Sequence, residues 1–452
     1  MKEPKSRSGA AGYSVFMVSL GCSKNLVDTE VIAGTLLTAG NTLAFDPEEA
    51  NLYVINTCAF IPAARREAEE AIEEAVAWKK AAPGRTLVVS GCLTEWDKPG
   101  SYREKYPEVD LWTGVNDVAG IAVLLNEDAP AEAGGKHDPV WLYDHNTPRL
   151  QLTVPHMAYL KIADGCNNRC SYCAIPGIRG VLRSRNIASV EAEAKNLVDA
   201  GVKELLVIAQ DITAFGADRP ADGEDIAMLL EKLNAIPGDF VIRLLYTHPA
   251  HYTDSFLDFL ARRDTKVLPY LDIPLQHIND RILKAMGRRV TKAQTVELLR
   301  KLREKVADLT IRTTFITGFP GETEEEFNEL VAFVKEQKFE RCGVFPYSPE
   351  PDTPAAKLPD QVPQEIAEAR ANKLMEIQQK IMKKANRQWV GREVRMLVDD
   401  VDNGVAVGRA MMDAPEIDNR ILLPRAKRLK PGQFCQVRIT GADSYEFTAE
   451  RV

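Results

Sequence analysis

The stretch GCNNRCSYC (165–173) carries three cysteines, Cys166, Cys170 and Cys173, in the spacing C-x3-C-x2-C. Thiolates are soft ligands that select zinc or iron–sulfur clusters. A structural zinc site is closed by four protein ligands, typically as paired C-x2-C units, and no second pair follows here. A cubane 4Fe–4S cluster has one iron more than three thiolates can bind, so one corner stays open to a molecule from outside. The trio therefore points to an iron–sulfur cluster rather than to a structural zinc loop.

A second trio is spread along the first hundred residues. Cys22, Cys58 and Cys92 are 36 and 34 residues apart. Each follows an apolar run: YSVFMVSLGC, NLYVINTC and TLVVSGC. In an open parallel sheet the strand ends share one edge, and ligands bind along it. Three distant cysteines would meet there as another three-thiolate site. The competing reading is three unrelated core cysteines, since cysteine is often buried. Repetition at the same place in three successive units argues against it. Cys342 and Cys435 lie inside strand-like runs and read as inert core residues.

The elements that would position these residues follow from hydrophobic patterning. Residues 13–125 alternate apolar runs with helical stretches, the pattern of an N-terminal parallel α/β domain. Residues 126–151 lose periodicity and read as a linker. From 152 to 385 six further β/α units follow, which predicts an open, partial (β/α)6 barrel rather than a closed eightfold one. A long amphipathic helix is expected over 363–390. The tail, 386–452, breaks into five short strands and predicts a small five-stranded β-barrel. Of the 452 residues 45% are hydrophobic and 27% charged, with a net charge of −8, which argues against a protein that coats nucleic acid. No apolar run approaches the roughly 18 residues of a membrane span. The run Val15–Val18 is too short for a signal core. A cytoplasmic protein without a membrane partner is expected, and in a reducing cytosol clustered cysteines point to metal or catalysis. No Ser–His–Asp set, P-loop or G-x-G-x-x-G fingerprint is present.

C-x3-C-x-aromatic-C, with Tyr172 as the aromatic, resembles the signature of the radical S-adenosylmethionine (SAM) enzymes. That resemblance implies that the open iron chelates SAM and that an electron from the cluster cleaves it to a 5′-deoxyadenosyl radical. Two three-cysteine sites followed by a small β-barrel resemble the methylthiotransferases over about residues 13–452. The resemblance implies two 4Fe–4S clusters and SAM as cofactors, with incoming sulfur held at the N-terminal cluster. It implies one SAM as methyl donor and a second as radical source. It also implies a C-terminal TRAM domain that binds substrate, and electron and sulfur donors from outside the chain. NTCAFIPAARREAEEAI, CAIPGIRGVLRSR and DAPEID resemble the branch that thiolates the β-carbon of an aspartate in small-subunit ribosomal protein 12. The alternative is the transfer-RNA adenosine branch, which usually carries a glutamate where Leu182 and Arg183 stand here. A non-catalytic iron–sulfur RNA-binding scaffold is a third reading, and the intact SAM-type trio argues against it.

Further residues are expected around these sites. The resemblance places Gly318 and Glu322 along the SAM pocket; Gln210 and Asp211, at the end of the second strand of this series, read either as lining the same mouth or as a structural turn, and Tyr172 is a further cofactor-binding candidate. Thr323 and Glu326 form a capping box that opens a helix. His277 reads as structural. From Trp389 to Val452 ten Lys/Arg balance ten Asp/Glu, whereas a barrel gripping RNA should carry a basic footprint. The acids of DDVD and DAPEID, and Asp413, Glu416 and Asp418 in particular, are therefore expected to bind a basic ribosomal protein, with PRAKRLK (424–430) as the one basic segment.

Overall fold

The computed structural model describes residues 12–125 and 142–452. The expected linker falls largely outside this range, at 126–141. The described chain divides into two compact units: the described residues up to Leu152 with Gly177–Gly180, and Thr153–Pro176 with Val181–Val452.

The first unit is built on a parallel sheet. Its strands are β1 (Ser14–Ser19), β2 (Thr42–Leu43), β3 (Leu52–Thr57), β4 (Thr86–Gly91) and β5 (Leu111–Thr113), in the order β2-β1-β3-β4-β5. β3 and β4 are buried on both faces, which is why LYVINT and TLVVSG read as continuous runs rather than alternating ones. Helices Ser23–Thr38 and Pro62–Ala81 cover them. Trp78 of the second helix meets Tyr53 of β3 edge-on and donates its indole N–H to the Pro47 carbonyl at 2.7 Å. Glu30 of the first helix, fully buried, pairs with Arg149 and accepts the Leu152 N–H at 2.7 Å. Buried charge thus holds the end of the expected linker against this unit.

The second unit carries a six-stranded parallel sheet of β6 (Met157–Lys161), β9 (Glu204–Ile208), β10 (Val241–Leu244), β11 (Val267–Asp272), β12 (Thr310–Thr317) and β13 (Arg341–Pro346). The order is β13-β12-β11-β10-β9-β6, an open sheet as expected. Two short strands, β7 (Ala163–Asp164) and β8 (Arg183–Ser184), pair antiparallel between β6 and β9 in sequence and flank the cysteine loop. Helix Glu324–Gln337 opens with the expected capping box, both of its bonds present. Helix Gln364–Arg387 packs on β12 and β13 and adds Leu374 to the apolar core.

The chain ends in a closed barrel of β14 (Glu393–Asp402), β15 (Val405–Arg409), β16 (Arg420–Leu423), β17 (Phe434–Ala442) and β18 (Glu446–Arg451), in the order β14-β15-β16-β18-β17. Val394, Met396, Val398, Ile421, Val437 and Phe447 fill it. This barrel seats against the starts of the sheet strands through buried ions. Arg243 on β10 donates to Glu204 on β9 at 2.7 Å and to the barrel carbonyls of Met411 and Ala410. Arg409 of the barrel reaches Glu204 at 2.5 Å and grips Asp399 with two bonds. Arg341 on β13 pairs with Asp413, Arg312 on β12 with Asp418, and the Tyr270 hydroxyl on β11 also donates to Asp418.

Candidate functional site

Cys22, Cys58 and Cys92 stand at the carboxyl ends of β1, β3 and β4, three neighbouring parallel strands. Cys22 caps helix Ser23–Thr38, and Cys92 opens the short helix Cys92–Trp96. Gly21 (φ +88°) makes the meeting possible. A Cβ there would lie 2.6 Å from Cys58 Cβ and 2.8 Å from its sulfur. Cys58 feels the charge of Cys22, and Cys92 that of both Cys22 and Cys58. The buried Arg179 guanidinium donates to Asp28 at 2.8 Å and to the Cys92 sulfur at 3.5 Å. Burial pushes the Cys92 thiol up to about 12 and also raises Cys58. Burial opposes ionisation of Cys22 as well. The charges of Lys24 and Arg179, with backbone N–H groups of Asn25 and Lys24, nevertheless bring it below the ordinary thiol value.

Cys166, Cys170 and Cys173 sit on the loop between β7 and β8. The loop is pinned on two flanks. On one, Asn168 donates its side-chain N–H to Asp211 at 2.8 Å, and Gln210 donates to Asp164 at 2.7 Å. On the other, the Ser171 N–H donates to the Met286 carbonyl at 2.8 Å and its hydroxyl to Ala285 O at 2.7 Å. Tyr172 packs with Ile282, Met286, Phe319 and Tyr347, so its ring anchors the loop in an apolar pocket. Burial raises Cys166 and pushes Cys173 up to about 12. Arg288, buried, places a guanidinium nitrogen 3.8 Å from the Cys170 sulfur.

The donor sets fit a cluster better than one ion. Thiolates on a single zinc lie about 2.3 Å from the metal, so no two can be more than ~4.6 Å apart. Among the described residues, neither trio gathers all its sulfurs within 4.8 Å of one another. Sulfurs that converge yet stay this far apart suit the corners of a multi-iron cluster.

The structure brings Gln210 and Asp211 to the cysteine loop, where both act as its fasteners. Gly318 and Glu322 lie in the turn after β12. Glu322 is buried, accepts the Gly318 N–H at 3.0 Å and pairs with Arg370 of the long helix at 2.8 Å. The two shape a turn that seats that helix. The expectation for the acidic barrel loop is corrected. Asp413 and Asp418 are not displayed for a substrate; they are the buried partners of Arg341 and Arg312. Of the three residues only Glu416 is exposed.

Sequence reasoning missed His248 and His251, which follow β10 in THPAH. His251 Nδ1 lies 2.7 Å from Asp211, and the two imidazoles stack at 4.9 Å. Asp211, His248 and His251 bring their ligand atoms within 4.8 Å of one another. The hydrogen bonding speaks against a metal there. The Ala250 N–H donates to His248 Nδ1 at 3.2 Å, so the neutral ring keeps its proton on Nε2. Burial first, and then the Arg288 charge, push His248 down to about 3 and keep it neutral. Its Nε2–H is a buried donor without a protein partner. The H-x2-H pair after a strand was the available signal. Arg288, in MGRR, had none.

Three family models match the chain: the Radical SAM superfamily over residues 160–334, Uncharacterized protein family UPF0004 over 14–114 and the TRAM domain over 390–452. Among curated relatives, "Ribosomal protein uS12 methylthiotransferase RimO" of Syntrophotalea carbinolica is 44% identical, covering 97% of this chain and 96% of its own. The proteins of the same name from Syntrophus aciditrophicus and Heliobacterium modesticaldum are 44% and 42% identical over 97% of this chain, and over 98% and 95% of their own. Among solved structures, the radical S-adenosylmethionine methyltransferase TsrM of Kitasatospora setae aligns with a TM-score of 0.57 at 16% identity, over 93% of this chain and 84% of that one. The cobalamin-dependent S-adenosylmethionine radical enzyme OxsB aligns at 0.55 and 13% identity, over 82% and 56%. At such identities the likeness is one of fold.

Proposed function

The chain belongs to the ribosomal protein uS12 methylthiotransferase RimO family, and we propose on that premise that it installs a methylthio group on the β-carbon of an aspartate of uS12. It is a radical SAM methylthiotransferase that uses SAM and 4Fe–4S clusters. The observation that carries the reading is the pair of three-thiol sites, one at the ends of the parallel strands β1, β3 and β4 and one on the loop between β7 and β8, in one chain with a closed C-terminal barrel.

Cys22, Cys58 and Cys92 would hold one cluster and Cys166, Cys170 and Cys173 the other. When bound, the second cluster and SAM supply radical chemistry at an unactivated C–H bond. The chain's own residues orient and shield. Asn168, Asp211 and Gln210 fix one flank of the loop, Ser171 the other, and Tyr172 wedges it from beneath. The neutral His248 can donate Nε2–H to a bound acceptor beside that loop. Arg179 neutralises thiolate charge at the first site.

The domain division follows the chemistry. Residues 13–125 form the methylthiotransferase domain, 126–151 the linker, 152–385 the radical SAM core and 386–452 the TRAM domain. A ribosomal protein substrate supports a cytoplasmic location. Among the described residues no helix is long and apolar enough to cross a membrane. The test is mass spectrometry of uS12 and of transfer RNA from a strain lacking this gene. Loss of the methylthio group from the uS12 aspartate, with transfer RNA unchanged, is expected. Loss from adenosine alone would overturn the assignment.

A further inference from the structure

A groove of about 610 Å³ opens beside the second trio, bordered by Arg169, Asp280, Lys284, Gly287, Arg288 and Arg289. Arg169 lies between Cys166 and Cys170 and is exposed, as are Lys284 and Arg289. Its charge is one-sided. Among the described residues none of these three forms an ion pair within the chain. The one acid on the rim, Asp280, already accepts the Lys292 N–H at 2.6 Å, and the Lys292 ammonium is held by Glu329. An uncompensated basic hollow is notable on a chain of net charge −8.

The groove is built onto the cysteine loop. Ser171 is bonded to the carbonyls of Ala285 and Met286. Gly287 (φ +69°) lacks the Cβ that would otherwise lie 2.5 Å from the Arg169 carbonyl. Behind the exposed cations, Arg288 reaches to 3.8 Å from the Cys170 sulfur. A body seated in the groove would approach Cys170 from the side of Arg288.

Radical cleavage of SAM needs one electron from outside the chain, and transfer requires close approach to the cluster ligands. Such encounters are small and transient, and opposite charge speeds them. We propose that the groove of Arg169, Lys284 and Arg289 is the docking surface for an acidic one-electron carrier protein. In the step the carrier loses one electron and the cluster gains one; no bond forms or breaks and no proton moves. The inference rests on assigning Cys166, Cys170 and Cys173 to that cluster.

The test uses the holoenzyme with both clusters loaded and compares it with Arg169→Glu/Lys284→Glu/Arg289→Glu. The probes are reduced flavodoxin, an acidic carrier, and dithionite, a small reductant that needs no docking surface. Flavodoxin-driven SAM cleavage should fall on the order of tenfold at low salt, while dithionite-driven cleavage stays unchanged. Anisotropy of labelled flavodoxin should show the matching loss of binding, and rising salt should narrow the gap. Equal binding and equal flavodoxin-driven cleavage by the two proteins would overturn the inference. So would a parallel loss with dithionite in the milder Arg169→Gln/Lys284→Gln/Arg289→Gln protein, because the residues would then serve the site itself. Selective loss of RNA binding, with flavodoxin unaffected, would assign the groove to nucleic acid instead. Failure of the unaltered enzyme with dithionite would strike at the cluster assignment, a separate result.

Discussion

A three-thiolate site depends on how closely its loops can approach, and here glycine sets that distance. Gly21 and Gly91 each precede a cysteine and hold φ values of +88° and +97°. At Gly91 a Cβ would stand 2.2 Å from Asn56 Oδ1 and 2.8 Å from the Thr57 carbonyl. Replacing Gly21 with alanine should cost roughly 1–3 kcal/mol in strain and push Cys22 from Cys58. The chain should still fold, since the sheet below is untouched. Iron should fall to about half of the roughly eight atoms that two clusters hold. Iron analysis with a dithionite-driven SAM-cleavage assay checks this; a fully loaded Gly21→Ala protein would remove the glycine from cluster assembly. The six cysteines were legible because ligand spacing and position after apolar runs are properties of the chain itself. His248, His251 and Arg288 were not, because their roles depend on Ala250, Asp211 and Cys170, partners that only the fold supplies.

Strands and helices were legible wherever a period or an unbroken apolar run marks them, as in LYVINT, ELLVI and the alternating strand FCQVRIT. The seat of the C-terminal barrel was not. Asp413 and Asp418 show their charge in the sequence but not their burial, and so they read as a docking loop. The structure makes them partners of arginines on sheet strands. Removing one member of such a pair leaves a buried charge unmatched, a cost of about 3–5 kcal/mol. Arg341→Ala and Glu204→Gln should each lower the urea midpoint of the barrel's attachment, read by limited proteolysis after residue 387. The pH dependence carries a sign. Burial raises the pKa values of Glu204 and Asp399, but Arg409 and Arg243 at Glu204, and His156 and Arg409 at Asp399, outweigh it, so both end below the ordinary carboxylate value. Their stabilisation is therefore complete above about pH 4–5 and is lost as pH falls through the lowered values. Asp413 runs the other way: burial outweighs Arg341 and raises it, so its ionised form is held at some cost near neutrality. The stability gap between the unaltered protein and Glu204→Gln should narrow on acidification. A gap that stays constant from neutral pH to pH 3 would mean Glu204 contributes nothing as an anion.

The molecule as a whole carries net negative charge, and the substrate proposed for it is a ribosomal protein, expected to be basic. With Asp413, Asp418 and Asp399 paired to arginines, and the exposed Glu393, Glu450 and Asp443 paired to Arg438 and Lys383, the exposed acids of the C-terminal barrel that form no ion pair among the described residues are Asp400, Asp402 and Glu416. Opposite in sign, Arg425, Lys427 and Arg428 are exposed beside a hollow of about 310 Å³. Exposed pairs contribute about 0.2–1 kcal/mol each. Converting Asp400, Asp402 and Glu416 to their amides should therefore weaken uS12 binding on the order of tenfold at moderate salt, with the loss shrinking as salt screens the charges. Geometry decides which constant moves. The barrel sits at the starts of the sheet strands, whereas the cysteine loop follows the end of β6. Charges at the far end of a strand can hold the substrate but cannot touch the reacting carbon, so KM should rise with kcat unchanged. The corresponding amide replacements of Arg425, Lys427 and Arg428 should affect uS12 less. Binding and turnover of both triple variants, measured with uS12 and with transfer RNA, settle the sign. Greater damage from the basic triple, with RNA as the bound partner, would move the barrel from protein to nucleic-acid recognition.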